Sequence, residues 1–320
     1  LALSLLTFLK HLYYQYLRHA KPHQFGLHIS RYHYRYSCVY RIIIEFFSIK
    51  YFFDFLIKVY LIIKTKVVFL LRYLLELSFY GTNYHGWQIQ PKSISVQETI
   101  EKCISTILNK KTIIVGAGRT DAGVHASYFC AHFDSLKIIE DKTDFIYKLN
   151  SFLPNDISIQ NLYNVSDDFH ARFDALSRTY QYKLNTIKNP FLIDKSYFLK
   201  KDINFSKMNL ASLRLYNYSN FKCFSKSNTD VHTFDCSITN ANWKFKENYW
   251  LFEISANRFL RNMVRAIVGT LIEIGEGKNE INHMDNVIIS KNREEAGYSV
   301  PAHGLYLTDI IYPENFLLDG

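Results

Sequence analysis

The 320 residues are 48% hydrophobic and 16% aromatic, enough apolar side chain for one large domain or two modest ones and far too apolar for a disordered chain. Lys and Arg number 38 against 29 Asp and Glu, a formal charge of +9 that ordinarily points to a polyanionic partner. The excess is confined to residues 1–71, where ten basic side chains face only Glu45 and Asp54, so over the near-neutral remainder only local clusters can argue for such a partner.

Residues 1–71 are rich in Tyr, Phe, Ile, Leu, Lys and His. A membrane span needs about 20 mostly apolar residues, and the longest stretch here without Lys, Arg, Asp or Glu is nine, as in Leu1 to Leu9. No span is expected. A secretory leader is not expected either, because a basic start and a small-residue cleavage site are missing. The apolar residues keep neither a 3.6 nor a 2.0 period for long. The segment therefore reads as translated AT-rich sequence rather than a packed domain, with Leu71 as the expected start of the folded chain. The competing reading is a basic extension lying on a membrane or on RNA.

From Arg72 the pattern becomes orderly. Tyr73 to Phe79 alternates as a strand, and Tyr80 to Asn83 is a turn. Ser95 and Glu98 form a capping box ahead of a helix whose stripe is Val96, Ile100, Cys103, Ile104 and Ile107. Lys111 to Val115 reads as a strand running into a tight loop, Gly116 to Gly123. Ser127 to Phe133 is a strand, followed by a helix at Asp144 to Phe152 and a strand at Ile157 to Tyr163. A second block begins near Ser177, with strands at Tyr180 to Leu184, Ile238 to Phe245 and Trp250 to Ser255 and a helix near Phe205 to Leu215. A long helix is expected from Asn257 to Ile274, a short one at Met284 to Lys291, and a last strand at Leu305 to Tyr312. Helices alternating with short antiparallel-type strands indicate an α+β fold in two similar halves, residues 72–177 and 178–320. Five scattered cysteines without CxxC or zinc-type spacing suit a reduced, cytoplasmic protein.

Four stretches carry chemistry. The Gly116 to Gly123 loop is no dinucleotide fingerprint, since the third glycine of G-x-G-x-x-G would fall at Asp121, and no Gly-Lys-Ser/Thr follows to make a phosphate loop. It presents one carboxylate, Asp121, beside Arg119 and Thr120. In the expected long helix, Arg258, Arg261 and Arg265 fall at i, i+3 and i+7 on one face of an otherwise apolar surface, a costly arrangement unless anions meet it. Gly269 on the same helix admits a close backbone neighbour. Phe169 to Phe173, with Arg172, and then Arg178, Tyr180 and Tyr182 interleave basic and aromatic side chains, which suits either stacking on an unpaired base while holding phosphates or simple packing in an aromatic-rich chain. Tyr84 to Gln88 either lines a site or closes a turn over the core.

Taken together, YGTNYHGWQIQP at Tyr80 to Pro91, GRTDAGVHA at Gly118 to Ala126, FHARF at Phe169 to Phe173 with RTYQY at Arg178 to Tyr182, NMVRAIVG at Asn262 to Gly269 and GLYL at Gly304 to Leu307 resemble, in order and spacing, the TruA-type tRNA pseudouridine synthases. The resemblance spans Arg72 to Pro313 and leaves residues 1–71 outside the enzyme. It implies the pseudouridine synthase fold, two ferredoxin-like halves around a central antiparallel sheet with flanking helices. It implies isomerisation of uridines 38, 39 and 40 of the tRNA anticodon stem-loop, by a cytoplasmic homodimer without metal or organic cofactor. Carried over by position, Asp121 is the catalytic aspartate and nucleophile, Arg265 its opposing cation, and Tyr180 the tyrosine that stacks on the flipped uracil. Arg119 would hold the flipped nucleotide's backbone, with Arg172, Arg258 and Arg261 as further tRNA contacts. A tRNA-binding protein that has lost catalysis is the alternative from another class; intact Asp121, Tyr180 and Arg265 argue against it. A membrane-tethered protein using the N-terminal segment is the third.

Overall fold

A computed structural model describes residues 70–227, 231–314 and 316–317, together with Asp54 and Ile57. The readings made of residues 1–69 as an extension lie outside the described residues, apart from those two positions.

The first half runs β1 (Leu71–Phe79), α1 (Val96–Leu108), β2 (Ile114–Gly116), β3 (His125–Ser135), α2 (Lys142–Phe152) and β4 (Ile157–Val165). The second runs β5 (Ser177–Asn185), β6 (Tyr197–Phe198), α3 (Phe205–Arg214), β7 (Ile238–Lys246), β8 (Tyr249–Ala256), α4 (Met263–Gly275), α5 (His283–Ser290) and β9 (Leu305–Ile311). Setting aside the two-residue β6 and the short α5, each half is a β-α-β-β-α-β unit. The spatial orders are β4-β1-β3-β2 and β9-β5-β8-β7, the same arrangement of first, second, third and fourth strand in both. This is the α+β, ferredoxin-like architecture expected from the sequence.

The two units fuse into one sheet through β3 and β9, which pair in parallel at His125 with Tyr306 and Ala126 with Leu307. The far end of β3, from Ala131 to Phe133, pairs instead with β2. One strand therefore belongs to its own half at one end and to the other half at its start, and the Asp121 loop leads directly into that start. The sheet is mixed rather than wholly antiparallel, because β3–β9 and β5–β6 are parallel.

Local chemistry accounts for the elements. The Ser95 side chain accepts the Glu98 N–H at 3.2 Å and starts α1, whose Val96, Ile100, Ile104 and Leu108 are buried. The other half of the expected box is spent differently, as the Glu98 carboxylate meets Lys102 at 2.7 Å. Asn109 ends α1 in the left-handed conformation, which Asn tolerates. Asp141 caps α2 and Asn204 caps α3 in the same way as Ser95. The expected strand at Lys111 to Val115 shortens to Ile114–Gly116.

Two hydrophobic cores form, one per half. Tyr180 packs against both, and Val124, from the first half, is buried in the core of the second. At the two outer strands the helices reach over the sheet edge. The Asn150 amide of α2 donates to Ile159 O at 2.9 Å and accepts Ile159 N–H at 2.8 Å on β4. The Asn209 amide of α3 does the same to Trp243 on β7, at 3.1 and 2.7 Å.

Candidate active site

Asp121 sits where the halves join. Next to Asp121 its loop is held by backbone hydrogen bonds. The Gly123 N–H donates to Tyr84 O at 3.2 Å, the Trp87 N–H to Thr120 O at 3.4 Å, and the Val124 N–H to Asp121 O at 3.2 Å. Gly86 lies against this loop with φ +87, and a Cβ there would fall 2.2 Å from Thr120 O, so only glycine lets the two segments touch without strain. The stretch Tyr84 to Trp87 thus cradles the Asp121 loop while its Tyr84 and Trp87 side chains are buried in the core of the first half.

His125 locks the exit of the loop. Its Nδ1 accepts the Gly81 N–H at 2.9 Å, so its other nitrogen carries the proton and donates to His303 O at 3.1 Å. The ring stacks on Tyr80 with centroids 4.2 Å apart. Burial pushes the His125 pKa down to about 4, which keeps the imidazole neutral and able to accept.

The second half supplies the cations. Arg265 of α4 places Nη1 3.4 Å from Asp121 Oδ2, and Arg261 places Nε 3.6 Å from Oδ1. Arg265 is held in turn by its Nε–H donating to Val300 O at 2.7 Å, while the Val300 N–H donates to Arg265 O at 3.3 Å. That segment can lie along α4 because Gly269 has no side chain; a Cβ there would fall 1.8 Å from Tyr298 O. The close approach expected at Gly269 is therefore made by the chain running into Val300.

The helix itself corrects the sequence reading. α4 begins at Met263, not Asn257, because Asn262 takes φ 68 in the left-handed region and its amide donates to Ser299 Oγ at 2.6 Å. Arg258 and Arg261 lie on the irregular stretch before the helix and do not share a helical face with Arg265. That stretch is nevertheless what carries Arg261 to Asp121.

Tyr180, on β5, meets Phe259 edge to face with centroids 5.1 Å apart. Burial raises its pKa to about 12; the Asp121 carboxylate adds to the rise and Arg178 opposes it. The phenol is neutral at ordinary pH. The structure thus brings together Asp121, Arg261, Arg265 and Tyr180.

The remaining candidates stand apart from the carboxylate. Arg119 is exposed, with no hydrogen-bond or ion-pair partner among the described residues. The Arg172 guanidinium lies over the exposed Phe173 ring at 5.4 Å, and the Arg258 backbone N–H is fixed by Asn257 Oδ1 at 2.9 Å. Two members of the basic and aromatic set are committed to the chain's own backbone. Tyr182 is buried with its hydroxyl donating to Pro301 O at 2.9 Å, and both terminal nitrogens of Arg178 donate to backbone carbonyls. Phe259 and Val300 were not legible as site residues, since each acts only by touching another side chain far away in sequence.

With a lone carboxylate set between two arginines at the seam of two ferredoxin-like halves, comparison with known proteins becomes informative. The family model described as tRNA pseudouridine synthase matches residues 77–174 and 218–313. The chain is 49% identical over 244 residues to tRNA pseudouridine synthase A of Bacteroides fragilis, covering 76% of this chain and 97% of that protein. It is 48% identical over 243 residues to the protein of the same name from Parabacteroides distasonis, covering 76% and 96%. It is 40% identical over 255 residues to that of Acinetobacter baylyi, covering 77% and 92%.

The chain belongs to the tRNA pseudouridine synthase family.

It is accordingly an enzyme of the isomerase class. The motifs that marked the family in the sequence are the segments that build the site: the cradle at Tyr84 to Trp87, the Asp121 loop, β5 and the start of α4. Among the described residues no helix is long and apolar enough to cross a membrane.

Proposed function

We propose that this enzyme converts uridines 38, 39 and 40 of the tRNA anticodon stem-loop to pseudouridine, with Asp121 as nucleophile. In that reaction the bond from C1′ to N1 breaks, the uracil turns, and C5 bonds to C1′; the C5 proton leaves and N1 gains one. Nothing is oxidised and no group is lost, which suits a site working without metal or organic cofactor. The single observation that carries the reading is the pairing of Asp121 with Arg265 and Arg261 at 3.4 and 3.6 Å beside the Tyr180 ring. Two guanidinium groups set opposite charge against the carboxylate, and a neutral phenol ring offers a face on which a flipped uracil stacks. Arg119, with its guanidinium unengaged among the described residues, and Arg172 and Arg258 supply contacts to phosphates and sugars.

A homodimer would extend the positive surface beyond what one near-neutral chain provides, and the cytoplasm is where unmodified tRNA is met. The segment from Leu71 onward is proposed to suffice for activity. The test is release of tritium from tRNA carrying 5-tritiated uridine, followed by mapping of the modified positions. Release from positions 38 to 40 by wild type, and none by Asp121→Asn, is the expected result. Modification confined to other positions would overturn the assignment, and light scattering in the same buffer reads the oligomeric state.

A further inference from the structure

Among the described residues, Arg178 is the one charged side chain near the site with both terminal nitrogens committed to neutral backbone. Its Nη1 donates to Ala175 O and Asn257 O, both at 2.9 Å. Its Nη2 donates to Ala117 O at 3.1 Å and to Arg172 O. Among the described residues it has no carboxylate partner within ion-pair distance. The carbonyls it gathers belong to three separate segments. Ala117 lies in the loop that carries Asp121, Arg172 and Ala175 in the loop before β5, and Asn257 at the head of the stretch that carries Arg258, Phe259 and Arg261.

Such a cation is expensive to keep half-buried; burial, with Arg172 and Arg258 nearby, pushes its pKa down. A tRNA phosphate would offset that cost, but both tips of the fork are already spent on carbonyls, so a phosphate has no bidentate face to grip. A planar fork with donors in fixed directions is instead suited to holding several acceptors in one geometry, which the compact ammonium of lysine cannot reproduce.

We infer that Arg178 is a positioning residue, one that sets the Asp121 loop, the Arg172 loop and the Asn257 to Arg261 stretch in register with each other so that carboxylate and cations meet. The inference rests on the reading of Asp121 and its arginines as the reaction centre. It adds that their alignment is imposed by a side chain that touches neither the carboxylate nor, on this geometry, the RNA. Misplacement of reacting groups by about 1 Å costs on the order of 100-fold in rate, so the loss should appear in kcat.

The experiment compares wild type, Arg178→Lys and Arg178→Ala in two measurements. Hydrogen exchange by mass spectrometry needs no activity: Arg178→Lys should raise exchange together in residues 117–123, 169–175 and 257–261 while β7 and β8 stay as protected as in wild type. In the tritium-release assay, Arg178→Lys should lose on the order of 10 to 100-fold in kcat with KM for tRNA within about threefold. Added guanidinium should restore part of the Arg178→Ala rate and none of the Arg178→Lys rate.

Exchange that rises everywhere, or in one segment alone, overturns the inference, as does a raised KM with kcat intact, which would make Arg178 a substrate contact. An inactive wild type with exchange still coupled across the three segments would instead sink the functional reading while leaving the structural coupling in place. If Arg178→Ala does not fold, Arg178→Lys carries both measurements.

Discussion

In the first half, Asp121 projects from a loop fastened by backbone hydrogen bonds to the Tyr84 to Trp87 segment, with Gly86 pressed against Thr120 O where no side chain fits. In the second half, the opposing groups are long side chains, and the Arg261 side chain is 52% exposed against 19% for Arg265. One strand order, used twice, therefore holds its site residues in two ways. The carboxylate proposed as nucleophile sits on a stretch fastened next to it by main-chain hydrogen bonds. Arg265 is fastened to Val300 O, whereas the more exposed Arg261 keeps torsional freedom and is able to re-aim when a polyanion arrives. A reaction in which a base must be turned and rejoined needs both properties, and placing them on different halves keeps either from compromising the other.

The comparison is broken most directly at its fixed point. Asp121→Asn preserves shape but removes the charge and the proposed nucleophile, so turnover should fall by at least ~10³-fold, a figure typical of losing the reacting group of a covalent mechanism. tRNA affinity measured by filter binding should stay within several-fold. Turnover above a few per cent of wild type would remove Asp121 from the role.

Next in size is the cradle. Gly86→Ala forces a side chain onto a positive φ and against a carbonyl, a combination of strain and overpacking of about 2 to 4 kcal/mol. Gly118→Ala, where a Cβ meets nothing within 4 Å, is the matched control and should unfold in urea close to wild type. Equal midpoints for the two variants would show that the loop is not held by close backbone contact.

Tyr180 tests the aromatic side of the site. Tyr180→Ala should lose the ~1 to 3 kcal/mol attributed to stacking on a base, read as a drop in kcat/KM, whereas Tyr180→Phe keeps the ring and should lose less. An alanine variant with wild-type kinetics would make Tyr180 a packing residue that joins the two cores.

The pinned half also has a pH signature. His125 and His132, both on β3, are buried with pKa values pushed down to about 4, and the Nδ1 of His132 accepts the Ala171 N–H at 3.1 Å. Unfolded histidines titrate near 6.5. Above that pH both states are neutral and there is no effect; below it the unfolded chain takes up protons that the native state refuses. Stability should fall between pH 6.5 and 4 by up to about 1.4 kcal/mol per pH unit for each histidine. His132→Asn, which keeps an acceptor but does not titrate there, should flatten the slope of urea midpoint against pH, and an unchanged slope would refute the assignment.

The smallest effect is expected at the exposed cation. Arg261→Ala should cost less than about 1 kcal/mol in kcat/KM, since an exposed ion pair contributes little, and its effect should shrink further in high salt. If Arg261→Ala proved as damaging as Arg265→Ala, the distinction between a fixed inner arginine and an adjustable outer one would collapse.

Most of the elements were readable in the sequence because each is signalled by neighbours a few positions away. The Ser95 cap, the alternation of Tyr73 to Phe79 and the apolar stripe of α1 are of this kind. The start of α4 was not, because Phe259 and Leu260 continue the apolar spacing of the helix while the residue that breaks it, Asn262, does so by bonding to Ser299. Asp121 and Tyr180 were singled out by resemblance, and the approach of Arg261 and Arg265 to Asp121 and of Phe259 to Tyr180 needed the fold. Arg178 was visible, but its role was not. Its company of aromatic residues suggested a hold on phosphates, and only the positions of four carbonyls from three segments reveal where its protons go.

A nine-stranded sheet has two outer margins, and an unpaired strand is an open template for another chain to extend. Asn150 and Asn209, each gripping both polar groups of one residue on β4 and β7, take up the donor and acceptor at those positions. The two helices that cover the cores thereby also guard the rims. Replacing either asparagine with leucine would free those groups and invite sheet-to-sheet association of intact molecules, seen as turbidity at concentrations where the native chain stays clear.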